Sequence, residues 1–158
     1  MAPSTSSRLE DAAEFILPDL MAKTGESVQL YRLSGMERVC IANAEPATGL
    51  RDTVPVGHRM TLTAGSAAKL LVAYAPEAFQ NQVLPDAAYT REDLEKIAAE
   101  GIAESSAERD PSLASASVPV YGADAQNRTV IACLSISGPV ARMGEHPACL
   151  LYTSDAAD

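Results

Sequence analysis

The run Ser66-Ala67-Ala68-Lys69 sets a hydroxyl and an amine one helical turn apart, a spacing at which the amine can activate the hydroxyl as a nucleophile. Gly65, Ser66 and Ala67 also carry a second chemistry. They bring the free N–H groups and positive dipole end of a helix start against very small side chains, which makes an anion-sized niche. Ser135 and Ser137 alternate with Ile136, so both hydroxyls point to one face of a strand and Ile136 to the other. Such hydroxyls can donate to carboxylate or carbonyl oxygen without bringing a charge. Arg59 and Arg109 are the nearest cations for an acidic ligand, although Arg109, between Glu108 and Asp110, reads more simply as a surface ion pair. His58 and His146 have no partner pattern and read as loop residues. Cys133, in an apolar run, reads as a buried small hydrophobe. Cys40, Cys133 and Cys149 lack CxxC spacing, so neither a zinc site nor a disulfide framework is expected, and no metal or cofactor is called for.

The elements that must position these groups follow from periodicity. Ala67, Leu70, Leu71 and Tyr74 recur at helical spacing after a turn through Thr63 to Gly65, and Pro76 forbids continuation. Upstream, Ser7 with Glu10 forms a capping-box pattern. Leu9, Ala13, Ile16 and Leu20 keep helical period up to Gly25, with a kink or break expected near Glu14 because of Pro18. From Glu26 the period becomes two, and Val28, Leu30 and Arg32 alternate against Gln29, Tyr31 and Leu33. A turn at Ser34-Gly35 and a strand over Arg38 to Asn43 complete a hairpin. A short helix is expected around Phe79, Val83 and Leu84, and a capped one from Thr90 with Asp93, through Leu94 and Ile97, to Gly101. Ile102 to Ser106 reads as a strand and Glu108 to Ser112 as a charged turn. Ala114 to Tyr121 and Thr129 to Ser137 read as a hairpin joined by a polar loop and ended by Gly138-Pro139.

The totals bound what this scaffold can be. At 158 residues and 47% hydrophobic, the chain suits one domain with its own core, of α/β type and built from Leu, Ile, Val and Ala since aromatics are scarce. A net charge of −9 argues against tracking a nucleic-acid backbone. No apolar run reaches bilayer-spanning length and the first residues lack signal-peptide features, so a cytoplasmic location without membrane contact is the expectation.

Four stretches in order resemble the effector-binding domain of the IclR family of bacterial transcription regulators. They are Lys23-Thr24-Gly25-Glu26-Ser27-Val28, then Leu62 to Leu71, then Glu108 to Ser115 with Val118-Pro119-Val120, and most specifically Ala132 to Met143. The resemblance implies an α+β fold, a curved antiparallel sheet flanked by helices in GAF/profilin-like fashion, with a pocket between the sheet and the helix that starts near Ser66. It implies a small organic or aromatic acid as effector, contacting Met60, Gly65, Ser66, Ala67, Ser105, Ser115, Ser135 and Ser137. Ser105 and Ser115 differ from the acidic and thiol residues of some relatives, which leaves the ligand class open. The resemblance also implies homodimer or tetramer contacts, and DNA binding only through a winged helix-turn-helix domain ahead of Leu9, outside this sequence. The family's long final helix, after Arg142, is likewise missing, and its loss is expected to uncover apolar surface. Residues 149–158 resemble run-on translated from sequencing-adapter DNA. The expected organisation is therefore a linker remnant over 1–8, the effector-binding domain over 9–148 and a non-native tail.

Two other readings compete with a sensor. Ser66-Ala67-Ala68-Lys69 and Lys23-Thr24-Gly25 match the S-x-x-K and K-T-G motifs of penicillin-recognising enzymes, which would make the chain an acyl-serine hydrolase using Ser66 and Lys69. The motif order is wrong, S-D-N is missing and the chain is short for that fold, so no enzyme is expected. A GAF-like signalling module would show a similar sheet.

Overall fold

The computed structural model describes residues 5–49, 51–108, 110–122, 129–144 and 146–148. The chain runs α1 (Thr5–Thr24), β1 (Ser27–Ser34), β2 (Glu37–Ala44), β3 (Arg59–Thr61), α2 (Ser66–Ala73), α3 (Glu77–Val83), a 3-10 turn over Leu84–Asp86, α4 (Arg91–Glu100), β4 (Ala103–Ser106), β5 (Leu113–Tyr121), β6 (Val130–Pro139) and a single turn α5 (Val140–Met143). All strands join one curved antiparallel sheet in the order β3-β2-β1-β6-β5-β4. The α/β expectation drawn from composition thus gives way to α+β, as the antiparallel hairpins β1–β2 and β5–β6 require.

Alternation along the central strands sorts the two faces. Val28, Leu30, Ala114, Ala116, Ala132 and Ile136 are buried in one cluster with Ala13 and Leu17 of α1. The intervening positions face α2, where Tyr31, Cys40 and Cys133 pack with Ala67, Leu70 and Leu71. A third cluster, Leu62, Ala68, Val72, Val83, Tyr89 and Leu94, ties α2 to α3 and α4. β1 is buried on both faces over its first five residues, which marks it as the centre of the sheet. A bulge between Leu30 and Tyr31 shifts its register against β2.

Several local expectations are met at the atoms. Thr90 and Asp93 cap α4 reciprocally, and Gly101, at φ 75°, closes it by donating to the Ile97 carbonyl. Others are corrected. α1 begins at Thr5, ahead of the capping position expected at Ser7, and passes through Pro18 unbroken. Ala13 and Leu17 anchor its inner face to the sheet, while Glu14 and Pro18 lie on the exposed side, where water can bond the carbonyl that proline leaves without a donor. Ile16, expected to point inward, is 52% exposed, and Leu17 takes its place. β6 continues through Gly138 to Pro139 because β5 pairs with it as far as Leu113. The expected tail over 149–158 and the middle of the β5–β6 loop lie outside the described residues.

Candidate functional site

The first turn of α2 faces the central strands, and the local sequence explains why it can approach so closely. Ser66, Ala67 and Ala68 are small and buried, and Gly65 adopts φ 102°, a backbone conformation that a side chain resists. The conformation rather than space is what asks for glycine, since a Cβ on Gly65 would sit in ordinary contact, 3.5 Å from the Arg38 guanidinium.

Opposite this turn the strands present hydroxyls. Ser66 Oγ lies 2.6 Å from Ser115 Oγ and 2.8 Å from Ser117 Oγ. Ser115 continues to Ser105 at 3.0 Å, and Ser117 to Ser135. Ser137 donates to Gln29 Oε1 at 3.1 Å. The amide nitrogen of Gln29 is buried with no hydrogen-bond partner, in a residue only 1% exposed. Together with Tyr31, Arg38, Asp52, Gly65, Ser66, Ala67, Ser115, Ser135 and Ser137, Gln29 lines a small cavity of about 20 Å³. Burying this many polar groups is unfavourable unless each is bonded, and the Gln29 amide is a donor left open to an acceptor.

Six of the eight residues expected at the site therefore line one cavity. The other two stand beside it. Ser105 reaches it only through Ser115, and Met60 lies over the Arg38–Tyr31 pair, its sulfur 3.7 Å from Arg38 Nη2 and 3.9 Å from the Tyr31 hydroxyl. Arg59 is elsewhere: it is exposed and bonded to Glu37 and Ser34.

The cation of the cavity is Arg38, which sequence reasoning missed. It is 3% exposed, donates to the Ala64 carbonyl at 3.2 Å and stacks 5.3 Å above the Tyr31 ring. Its signal was an arginine two residues before Cys40, on the buried face of β2. Ser117 was equally readable, as the partner of Ser115 in the same alternation. Burial pushes the Tyr31 phenol well up, partly opposed by Arg38, and pushes the Cys133 thiol to about 12 and the Cys40 thiol to about 11. Both thiols are inert at neutral pH.

The amide niche at the helix start is already in use. Gly65 donates its N–H to Glu108 Oε1 at 3.1 Å, and the other oxygen of Glu108 accepts from Lys69 at 2.8 Å. Ser66 and Lys69, one turn apart, are thus engaged with different partners, which removes the geometric case for a serine nucleophile. His146 is exposed and paired with Glu104, and Arg109 and Cys149 lie outside the described residues. Among the described residues no cluster of His, Cys, Asp and Glu could hold a metal, and no helix is long and apolar enough to cross a membrane.

Known proteins share this arrangement of elements. Residues 4–153 match the family described as the C-terminal region of the bacterial transcriptional regulator IclR. The HTH-type transcriptional regulator BhcR of Paracoccus denitrificans is 32% identical over 152 residues, an overlap that spans 88% of this chain and 53% of that protein. A crystal structure of an IclR-family regulator from a Rhodococcus species is 29% identical and superimposes with a TM-score of 0.80, covering 99% of this chain and 61% of that one. The inducer-binding domain of the PobR transcription factor from Acinetobacter, solved as a double mutant with 3-hydroxybenzoic acid, shares the fold at 20% identity and a TM-score of 0.73, over 92% of this chain and 94% of that one. The chain spans little more than half the length of the regulators it matches. The family is one of transcription regulators and not of enzymes, and its match covers nearly every residue from the first turn of α1 through the serine-bearing strands. This chain belongs to the IclR family of bacterial transcriptional regulators and comprises its C-terminal domain.

Proposed function

We propose that this chain is the ligand-sensing part of an IclR-type regulator, and that a small organic or aromatic acid is recognised at the cavity under α2. Gly65, Ser66, Ala67, Ser115, Ser135 and Ser137 would touch the effector, with Ser105 and Met60 supporting from behind. Arg38 and Gln29 join the set. The observation that carries the reading is the buried Gln29 amide donor, without a partner, in a wall of hydroxyls beside a buried guanidinium. A carboxylate or carbonyl oxygen is the group such a wall can satisfy. The same reading includes assembly into a homodimer or tetramer, a cytoplasmic setting, and operator contact only through a winged helix-turn-helix domain outside this chain.

The test is a thermal-shift and calorimetric screen of the chain against pyruvate, benzoate and 3-hydroxybenzoate beside their neutral amides. An acid that binds should stabilise the chain where its amide does not. Ser135→Ala should weaken that response about tenfold, the loss of roughly one charge-assisted hydrogen bond, while changing stability by less than about 1 kcal/mol. Binding unaffected by Ser135→Ala and by Gln29→Leu would move the ligand away from this cavity, and no response to any acid would remove the reading.

A further inference from the structure

We propose that Glu108 is a gate, an internal carboxylate that holds the place of a ligand carboxylate at the start of α2 and closes the route into the buried cavity. The inference rests on reading that cavity as the effector pocket. At about 20 Å³ it has room for one water, whereas pockets that take organic ligands begin near roughly 300 Å³. A wall must move before any acid enters.

The geometry points to which wall. Behind Lys69 and Glu108 lies an open cleft of about 400 Å³, bordered also by Tyr89, Lys96, Ile97 and Glu104. Glu108 borders the cleft, and its carboxylate links that space to the cavity wall through one contact, the bond it accepts from the N–H of Gly65, which lines the cavity. Both members of the Lys69–Glu108 pair are largely shielded from solvent, so the contact is well defined rather than a loose surface pair. The residue that aims Glu108 is Ala107, at φ 60°, the only non-glycine with positive φ among the described residues. A left-handed alanine is unfavourable, and the bond from its N–H to the Leu113 carbonyl at 2.8 Å holds the turn that carries Glu108 in that shape. Across the cavity the Gln29 amide waits for an acceptor that Glu108 does not supply. Withdrawal of Glu108 from Gly65 opens the cavity to the cleft and frees the amide for an incoming carboxylate, so ligand and gate compete for one donor.

The experiment needs no effector. In the 158-residue chain, Ser66→Cys puts a reporter thiol in the cavity wall, and its alkylation by iodoacetamide is followed peptide by peptide beside the buried native thiols Cys40 and Cys133. Adding Glu108→Ala should speed labelling at position 66 tenfold or more while Cys40 and Cys133 keep their rates. Glu108→Gln keeps an acceptor for Gly65 but no charge for Lys69, and should fall between. An unchanged rate at position 66 overturns the gate, and so does a parallel rise at all three thiols, which would mean general loosening. Amide hydrogen exchange provides the same test without the reporter: Glu108→Ala should raise exchange at Gly65 at least tenfold and leave Gly101 unchanged, and equal changes at both overturn the proposal. A chain that binds no acid would remove the pocket reading and leave these rates as they are.

Discussion

The two faces of one sheet are built from neighbouring residues of the same strands, yet they do opposite things. Towards α1, β1, β5 and β6 present Val28, Leu30, Ala114, Ala116, Ala132 and Ile136, an interior that asks nothing of its partners but shape. Towards the start of α2 the alternate positions are Gln29, Ser115, Ser117, Ser135 and Ser137, all buried or nearly so and each dependent on a hydrogen bond. Hydrophobic burial on the first face stabilises the fold without regard to direction, while the second face spends stability on directed donors and acceptors. Since a strand cannot exchange one face for the other without flipping its register, the apolar face also fixes where the hydroxyls point.

The largest effect should come from breaking the apolar face. Ile136→Ala removes a side chain that is 0% exposed and should cost about 3 kcal/mol in urea denaturation, far more than Ser135→Ala one residue away. Equal costs at the two positions would refute the division of labour. Next in size is the charge buried at the rim of the α1 side. Glu26, 1% exposed, accepts two hydrogen bonds from Arg142 at 2.6 and 2.7 Å, and a Cβ on nearby Gly138 would strike its carboxylate. Arg142→Ala leaves that carboxylate without its cation and should cost about 2 kcal/mol, discounted from a fully buried pair because Arg142 is half exposed. Glu26→Gln with Arg142→Ala should recover part of the loss.

The smallest and most selective effect is alkaline. Tyr31, Cys40 and Cys133, on the α2 side, hold their protons more tightly folded than unfolded, because burial opposes their charged forms. Their stabilisation is complete below about pH 9, the ordinary thiol value, and is lost as pH rises towards the folded values of about 11 and 12 for the two thiols. The urea midpoint should therefore be flat from neutral pH to pH 8 and fall above pH 9, and Cys133→Ala should flatten the fall. An unchanged slope in that variant would assign the effect elsewhere.

What could be read before the fold was seen depended on how local its cause is. Thr90 with Asp93, Gly101 and the Ser135-Ile136-Ser137 alternation are set within a few residues, and each appears as expected. The cavity gathers six of its expected members for the same reason, since they lie on two short motifs and a strand. Arg38 and Glu108 escaped because their roles exist only across distance: Arg38 reaches the Ala64 carbonyl 26 positions on, and Glu108 caps an amide 43 positions back. Pro18 misled for the converse reason, as a local rule was outweighed by the packing of Ala13 and Leu17 against the sheet.

The strand order has a consequence for how the molecule comes into being. β1, near the beginning of the chain, takes β6, near its end, as a central neighbour, and Gln29 bonds a serine 108 positions later. Contacts so distant in the chain are slow to form, because loop-closure entropy must be met before any pairing repays it. During synthesis the middle of the sheet cannot close until β6 has left the ribosome, and until then β1 exposes an open edge to any other strand it meets.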